Sequence, residues 1–444
     1  MDEKGNNGDK RNKGNGVKGE RTLMMKLNAR LIYLFIVGTT SWAYFMAFTV
    51  TMIFQVTVVG LNPLQLVLIG TTLEVTALVF EIPTGVVADV YSRRLSVIIG
   101  VFIVGVGMAM QAAPTFALLL LAQVVWGIGY TFTSGATDAW LVDEIGDVHA
   151  GEVFLRASQT RNVCAMAGIA LSVLLANISL ALPIVVSGAI FLALGMFLIV
   201  TMPEHNFKPS PREERTTWQT MWHTFNDGVK LTRAQPVIVS LIGVDFLHGL
   251  FSEGYDRLWT AYIIATFALP TLFGFTFVIW FGIIAAASRL LSIAIAETIR
   301  RRFDLNQQAV SARLLWILNA LLVVCLIAFP LVPDFYLALI AVMLIGACRY
   351  AIEPVHGNWL NQRITDSRVR ATVLSMSSQM NAVGQIGGGP AIGAIGAIGN
   401  WFSVRAALMI SAVMLSPVLP LIARAQRDQL SVSGEQLSVA ETEA

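Results

Sequence analysis

Long apolar runs separated by short polar connectors dominate this chain of 444 residues. A transmembrane helix needs roughly 20 predominantly apolar residues, and twelve segments meet that requirement. Six lie in the first half at about 30–56, 64–87, 95–113, 115–141, 157–176 and 180–202. Six more follow at about 236–264, 271–297, 309–330, 334–356, 371–397 and 400–424. The pattern predicts an all-α integral membrane protein with twelve transmembrane helices.

The connectors alternate between neutral and basic. Neither Lys nor Arg occurs at 56–63, 112–115, 176–180, 266–271, 330–334 or 398–401, whereas the alternate connectors and the segments flanking the first and last spans are basic. Lys and Arg collect on the cytoplasmic side of membrane proteins. The alternation and the even number of spans predict a multi-pass protein of the cell inner membrane with both termini in the cytoplasm.

The longest connector divides the spans into six and six. The predicted organisation is a disordered cytoplasmic tail, a first six-helix bundle, a cytoplasmic linker, a second bundle and a second disordered tail, at 1–27, 28–202, 203–235, 236–425 and 426–444. An apolar stripe within the linker consists of Trp218, Met221, Trp222, Phe225 and Val229. Its spacing predicts a helix that lies in the membrane interface or packs on the bundle as a soluble helix.

Composition agrees with a membrane protein and gives no sign of catalysis. Residues are 55% hydrophobic and 13% charged, against about 25% charged in soluble domains. Cys164, Cys325 and Cys348 fall in three different spans and are interpreted as core residues rather than ligands or disulfides. There is no P-loop for ATP, no catalytic constellation and no metal-ligand spacing. We expect no cofactor, no metal, no enzymatic activity and no nucleic-acid partner.

A short motif follows the second span: Gly85-x-x-x-Asp89-x-x-x-Arg93-Arg94. Placed between the second and third of twelve spans, it resembles the loop 2–3 signature of the major facilitator superfamily. The stretches "FEIPTG", "SGATDAWLVDE", "SEGYDRLW" and "RATVLS" resemble a bacterial branch of drug and macrolide efflux proteins. The resemblance implies two six-helix bundles around a central cavity and transport by alternating access.

The resemblance also implies roles for these residues. Gly85, Asp89, Arg93 and Arg94 become gate residues at the cytoplasmic face, which in the family pair partly with the dipole of span eleven and hold the outward-open state. The first and fourth helices of each half are expected to line the cavity. A second motif copy, shifted by 208 residues, is degenerate and aligns Glu81 with Arg289.

Two further features depart from the pattern of the family's drug antiporters. Gln123 stands at or near the place where they often carry an arginine in span four. The Gly-Pro signature of their fifth span is absent from "CAMAGIALSVLL". These departures leave the fold expectation intact and weaken the case for proton-driven antiport.

Charged residues inside predicted spans are functional candidates, because a charge at the bilayer centre costs about 2.5–3.5 kcal/mol on insertion scales. Glu74 and Glu81 lie two turns apart on one face of span two. Burial favours the protonated form of a carboxyl group, which makes both proton-coupling candidates. Glu81 is also two turns before Asp89 and is assigned to the gate. A structural hydrogen bond or ion pair is the alternative for each.

Span seven carries the richest polar face, made of Asp245, His248, Gly249, Ser252, Asp256 and Trp259. Asp245 is placed near mid-membrane and is the first candidate for substrate or proton binding. Glu253 and Arg257 lie beside this face at i, i+4 and are expected to form a structural pair. Gly249 and Gly254 are expected to let the helix bend, as discontinuous transporter helices do.

The remaining candidates lie on spans one, four and ten. Glu353 is a proton-coupling candidate beside Pro354, which is expected to kink its helix. The other cavity candidates are Tyr44, Gln55, Gln123, Tyr130, Asp138 and Arg349. Aromatic and amide side chains suit a moderately apolar or cationic organic substrate, and ordinary helix packing is the alternative. At the cytoplasmic mouth, an ion-pair network around Arg93 and Arg94 is expected from Asp143, Glu144, Glu152, Arg156 and Arg161.

The sequence therefore favours a monomeric secondary transporter in a lipid bilayer. We expect it to export a small organic compound or drug in exchange for protons, with the proton gradient rather than ATP as driving force. A metabolite symporter or uniporter is the alternative within transport. A transporter-like sensor that moves nothing is the alternative from another class.

Overall fold

The computed structural model describes residues 8–209, 236–271, 276–305, 307–364, 367–397 and 401–428, and the regular structure in these ranges is helical throughout. The first half contains α1 Gly8–Thr57, α2 Pro63–Val90, α3 Arg93–Met110, α4 Phe116–Thr133, α5 Ala136–Ile145, α6 Asp147–Ala176 and α7 Ala181–Thr201. The second contains α8 Pro236–Thr266, α9 Val278–Arg302, α10 Gln308–Ala328, α11 Phe335–Arg363, α12 Ser367–Ala397 and α13 Trp401–Leu415.

Among the described residues, 11 helical segments are long and apolar enough to cross a membrane. The predicted span 371–397 corresponds to α12, which is helical but less apolar because it carries Asn381, Gln385 and many glycines. The prediction of an all-helical membrane fold is confirmed. The interfacial stripe of the linker lies outside the described residues.

Side chains at the connectors explain where several helices begin. Asn62 accepts from the Gln65 backbone N–H at 2.9 Å, and the Asn62 N–H donates to the Gln65 side chain at 3.0 Å. This reciprocal capping box satisfies two backbone donors at the start of α2. Ser92 caps α3 by accepting from the Leu95 N–H. Asp334 caps α11 by accepting from the N–H groups of Tyr336 and Leu337.

The predicted span 115–141 is not one helix. α4 ends at Thr133 and α5 begins at Ala136, because Ser134 is extended and Gly135 has a φ of +70°. Glycine adopts this left-handed conformation without the steric penalty that other residues meet. The helical periodicity of the sequence continues across the break and therefore does not reveal it.

Other boundaries also differ from the predictions. α1 is helical from Gly8, where a disordered tail over 1–27 was expected; extending an existing helix costs less than nucleating one. α6 begins at Asp147 instead of 157. The last span is interrupted by a turn at Ser416 and Pro417, since proline lacks the N–H that a helix interior needs, and helix then continues to residue 428.

The helix ends define two faces of the molecule. The basic face carries the ends with Arg93, Arg156, Arg300 to Arg302 and Arg363, and the neutral face carries the connectors 58–62, 111–115, 177–180 and 329–334. One buried apolar cluster joins the second half to neutral-face residues of the first half, including Leu66, Val67 and Ile184. The other cluster contains only first-half residues nearer the basic face, such as Ile36, Val97 and Leu141. The two halves therefore pack together towards the neutral face.

Glycines set the closest helix packing in the second half. A Cβ at Gly249 of α8 would overlap the Asn381 carbonyl of α12, and one at Gly388 would overlap the Leu250 carbonyl. Small residues at such contacts let two backbones approach closely. α8 is helical without interruption from Pro236 to Thr266, and Gly249 serves close packing; the bend expected at Gly249 and Gly254 stays a prediction.

Candidate functional site

A cavity of about 510 Å³ lies among α8, α9 and α11, with Phe45 of α1 and Asn381 of α12 in its wall. Its ionisable lining residues are Asp245, His248, Asp256, Arg349, Glu353 and His356. Ligand pockets typically occupy about 300–1,000 Å³ and combine apolar walls with a few polar groups. The structure thus gathers the predicted candidates of spans seven and ten into one site.

Asp256 and Arg349 form a two-pronged ion pair across this cavity. One guanidinium nitrogen donates to Asp256 Oδ2 at 2.8 Å and the other contacts Oδ1. The Phe251 ring lies 5.5 Å from the Arg349 guanidinium carbon. Such fork-to-carboxylate pairs fix orientation as well as charge. Arg349 therefore pairs across helices and not with Glu353 of its own helix.

Asp245 is held by three residues from other helices. His356 Nδ1 is 3.5 Å from Asp245 Oδ1, the Ser377 hydroxyl donates to Oδ2, and Asn381 donates to the Asp245 backbone carbonyl at 3.1 Å. Asp245 comes nine residues after Pro236, the basic-face end of the 31-residue helix α8. At 1.5 Å per residue it is about 14 Å along α8 from that end, and its place near mid-membrane stays a prediction.

Two other polar residues of the cavity differ in their surroundings. His248 Nε2 is 2.8 Å from Asn319 Oδ1, and Asn319 donates to the Leu315 carbonyl. Glu353 is exposed to the cavity and forms no ion pair within the described part of the chain. α11 continues through the neighbouring Pro354. Glu353 is thus free to interact with whatever fills the cavity.

Arg289 lies where the two halves meet at mid-helix. It is 9% exposed, and its Nη1 donates to Asn162 Oδ1 of α6 at 2.6 Å. The guanidinium carbon lies 4.2 Å from the Phe45 ring centre and 5.5 Å from that of Tyr350. Cation–π contacts supply about 2 kcal/mol when desolvated, less than the roughly 2.5–3.5 kcal/mol cost of a charge at the bilayer centre.

Glu81 and its repeat counterpart Arg289 do not contact each other. Arg289 contacts Asn162, Phe45 and Tyr350. Glu81 is exposed, on the face of α2 that also carries Glu74 and Asp89. The repeat aligns positions in sequence, but it does not bring them into contact.

The two halves of the protein are in contact at an ion pair of α8. Arg257 Nε donates to Glu253 Oε1 at 2.7 Å, as the i, i+4 spacing predicted. A Cβ at Gly70 of α2 would overlap this pair, and one at Gly389 of α12 would lie 3.0 Å from Glu253 Cγ. Glu74 follows one turn after Gly70 on the same face of α2. Three helices from both halves therefore meet at this pair.

A smaller pocket of about 200 Å³ lies within the first half. Tyr44, Tyr130 and Asp138 line it beside the break between α4 and α5. Tyr33 donates to Asp138 Oδ1 at 2.7 Å, and Trp126 donates to the Tyr44 hydroxyl at 3.3 Å. The predicted first-half cavity residues thus surround their own pocket, separate from the larger one.

Gln55 and Gln123 do not line the larger cavity, contrary to prediction. Gln55 is fully buried, and neither atom of its amide group has a partner in the described part of the molecule. Gln123 is 1% exposed and donates to Gln111 at 3.4 Å. Both side chains are buried in helix contacts towards the neutral face.

The predicted gate residues meet at the basic end of α2. Arg93 Nη1 is 2.7 Å from Asp143 Oδ2 and donates to the Ala139 carbonyl, while Arg93 Nη2 is 3.9 Å from Asp89. Among the described residues, a Cβ at Gly85 would meet no atom within 4 Å. Arg93 thus holds α2, α3 and α5 of one half together, and the side of α2 at Gly85 is open.

Glu204 contacts the predicted gate segment and was missed by the sequence reasoning. It accepts from the Ser92 hydroxyl at 2.6 Å and from the Arg94 backbone N–H at 2.9 Å, at the N-terminus of α3. Arg94 itself donates to the Ile199 carbonyl. A carboxylate directly after span six was a possible signal, because helix N-termini favour negative charge.

The predicted network at the basic face is divided. Glu144 accepts backbone N–H groups of His205 and Asn206, so it holds the start of the linker. Glu152 and Arg156 pair with each other at 2.7 Å, both well exposed. Arg161 is exposed and forms no ion pair among the described residues. Glu152 and Arg156 are one helical turn apart on α6 and therefore pair locally.

Metal and redox chemistry find no support in the described residues. No group of three or more His, Cys, Asp or Glu there could hold a metal ion. The cysteines are free, with Cys325 and Cys348 buried, as the sequence predicted.

Comparisons with known proteins agree with this architecture. The family model described as Major Facilitator Superfamily matches residues 31–318. An uncharacterised MFS-type transporter, YxaM of Bacillus subtilis (strain 168), is 20% identical over 363 residues, covering 81% of this chain and 88% of YxaM.

Solved structures share the fold at low identity. The nucleoside transporter NupG has a TM-score of 0.70 at 14% identity, covering 90% of this chain and 98% of NupG. A bacterial homologue of the human lysosomal transporter Spinster, inward-facing and unoccupied, has a TM-score of 0.68 at 16% identity over 92% of this chain and 98% of its own. A POT family transporter in complex with 5-aminolevulinic acid reaches 0.65 at 12%, over 89% and 96%.

Proposed function

This chain belongs to the major facilitator superfamily of membrane transporters, and we propose that it exports a small organic compound by alternating access in exchange for protons. Family membership confirms the predictions of a transporter and of a protein that is not an enzyme. The substrate, the direction and the coupled ion are the parts that we propose.

One observation carries the proposal: the halves pack together towards the neutral face while the cavity residues nearer the basic face remain accessible. Val67 and Gly70 of α2 meet α8 and α12 across the halves. Glu353 is exposed to the cavity. Transport by alternating access requires such an asymmetry, with one face sealed and the binding site reachable from the other.

We place the basic face in the cytoplasm, because Lys and Arg favour that side. The conformation is then open to the cytoplasm, as an exporter must be when it loads substrate. In this proposal both termini lie on the cytoplasmic side of the inner membrane, and the transporting unit is a monomer whose larger cavity lies among α8, α9 and α11. The aromatic and charged walls of the cavity suit a small organic molecule.

Two carboxylates beside one arginine support proton coupling. Glu253 pairs with Arg257, and Glu74 lies one turn from the glycine that packs on this pair. Two carboxylates close together cannot both ionise easily, so one of them is suited to hold a proton while the face is sealed. When the face opens, water reaches the cluster and the proton exchanges there.

Asp245 supplies the second proton site, nearer the open face. Its carboxyl group contacts His356 and Ser377 in the cavity. A proton that moves from the Glu74 cluster to Asp245 would cross from the sealed side to the open side. Asp89 and Arg93 then act as the gate whose partners change when the basic face closes.

The test is transport in proteoliposomes with an imposed pH gradient, across a broad panel of organic compounds. We expect gradient-driven uptake in the wild type. Glu74→Gln and Asp245→Asn should lose coupling to the pH gradient, and Glu74→Gln should retain substrate exchange. Asp89→Arg should lose transport. Glu152→Gln, which alters an exposed pair away from the cavity, is the matched control.

The other outcomes separate the alternatives. Flux that does not depend on the pH gradient would identify a uniporter. Substrate that moves in the same direction as protons would identify a symporter. No flux of any compound would favour a sensor. Normal pH-driven transport in Glu74→Gln would remove Glu74 from the proposal.

A further inference from the structure

The middle of α9 carries a cation that the protein leaves without a counter-charge. Arg289 comes eleven residues after Val278 and thirteen before Arg302. At 1.5 Å per residue, it is about 17–20 Å from either end of the helix. A charge at such a depth is expensive and marks a functional site by default.

The other arginines at comparable depth are neutralised. Arg349 pairs with Asp256, and Arg257 pairs with Glu253. Among the described residues, no carboxylate lies within ion-pair distance of Arg289, whose hydrogen-bond acceptor is the neutral amide of Asn162. The protein thus positions this guanidinium without satisfying its charge.

The guanidinium lies directly behind the wall of the larger cavity. Phe45 and Tyr350 line that cavity, as does Ser288, the residue before Arg289, and both rings contact the Arg289 guanidinium. One N–H donates to Asn162, and the other N–H groups have no acceptor within the described part of the chain. The planar guanidinium, in contact with two aromatic rings, is oriented to donate two hydrogen bonds to one carboxylate or phosphate group.

We propose that Arg289 binds the anionic group, a carboxylate or a phosphate, of the organic substrate. Phe45 and Tyr350 hold the plane of the guanidinium, and Asn162 fixes its rotation. The inference rests on the proposed transport function and deepens it by naming the substrate class. It replaces the expectation of an apolar or cationic substrate that the sequence favoured.

The remaining charges of the cavity refine this class. Asp256 is neutralised by Arg349, and Asp245 contacts His356 and Ser377. Glu353 has no described ion pair and lies on α11 one turn beyond Arg349, towards the basic face. It offers an acceptor to a hydrogen-bond donor of the substrate. The occupant is therefore an organic anion with an N–H or O–H donor at its other end.

The first test measures thermal unfolding of the purified protein with matched ligands. Indole-3-acetate carries a carboxylate, an aromatic body and an N–H donor. Indole-3-acetamide is its neutral analogue, and tryptamine is a cationic analogue. Phenyl phosphate tests the phosphate group. We expect the anions to raise Tm and the amide and amine to leave it unchanged. The proposal is overturned if no anion of this panel stabilises the protein, or if tryptamine does so equally.

The second test changes the charge beside Arg289. Asn162→Asp supplies the counter-charge internally, so it should raise the Tm of the ligand-free protein and weaken anion binding at least tenfold. Asn162→Ala removes the amide that fixes the guanidinium without adding a charge, so it should weaken anion binding less than Asn162→Asp does and should not raise the ligand-free Tm. A ligand-free Tm that does not rise in Asn162→Asp would show that the charge of Arg289 is already satisfied.

Arg289→Gln completes the set. It should remain folded with an unchanged or raised Tm, because an uncompensated charge is removed, and lose stabilisation by anions. Retained anion binding in this variant would overturn the proposal. Anion binding without flux in liposomes would instead contradict the proposed transport, and proton-driven flux of amines alone would contradict the anion site while leaving transport intact.

Discussion

The two ends of α2 present a contrast on a single helix face. At Gly70, a side chain would overlap the Glu253–Arg257 pair of the other half. At Gly85, a side chain would meet no atom of the described part of the chain within 4 Å. The two glycines are four turns apart on one helix face, yet one is sealed and the other is open.

The difference shows that a glycine can be needed for a close contact that forms only in another conformation of the protein. Gly70 is needed where the halves now touch. Gly85 belongs to a motif that the resemblance assigns to the gate, and its open side suits a contact formed only when the basic face closes. Four substitutions test this contrast, from the largest expected change in the free energy of unfolding to the smallest.

Breaking the sealed pair should have the largest effect. Glu253→Gln leaves Arg257 buried without its carboxylate, and removal of one partner of a buried ion pair costs about 3–5 kcal/mol. Chemical or thermal unfolding in detergent measures the loss. The double variant Glu253→Gln/Arg257→Gln is the control and should recover much of it; a single variant within about 1 kcal/mol of wild type would indicate that Glu74 replaces Glu253.

Gly70→Leu should separate the halves at the neutral face. Overpacking a tight contact costs about 1–3 kcal/mol, and here the new side chain meets the ion pair directly. We expect lower stability and loss of transport, and we expect a cysteine introduced at Thr71, next to this contact, to react with a thiol reagent added from the neutral face. Wild-type stability in this variant would contradict the sealed arrangement.

Gln55→Leu should instead stabilise the observed conformation. Gln55 is buried with an unpartnered amide, and an unsatisfied buried polar group costs about 1–3 kcal/mol. We expect Tm to rise and transport to fall, because the amide would meet water only when the neutral face opens. Gln65→Leu, at the surface capping box, is the control; it should lower Tm slightly. Unchanged transport in Gln55→Leu would show that Gln55 plays no part in the conformational change.

Gly85→Leu should change stability least while still abolishing transport. No atom of the residues that the structure describes lies within 4 Å of the new Cβ, and leucine favours helix over glycine by about 1 kcal/mol. We expect an equal or slightly higher Tm with transport lost, because the basic face cannot close. Active transport in Gly85→Leu would show that this glycine makes no close contact in either conformation.

Much of the site could be read from sequence where the information was local. The Glu253–Arg257 pair follows from its i, i+4 spacing, and the contact of Arg93 with Asp89 from the motif. The break at Gly135 and the burial of Gln55 could not be predicted, because helical periodicity is the same in a continuous and an interrupted helix and does not say which face meets a cavity.

The sequence by itself determined the twelve apolar spans, the alternation of basic and neutral connectors, and the family, because span length and charge placement are properties of short segments. Only the tertiary structure decided that Arg349 pairs with Asp256, that Arg289 is left with a neutral amide, and which face is sealed. Partners 93 and 127 positions apart along the chain are brought together by helix packing. The choice of open face depends on contacts between whole bundles, which no single segment encodes.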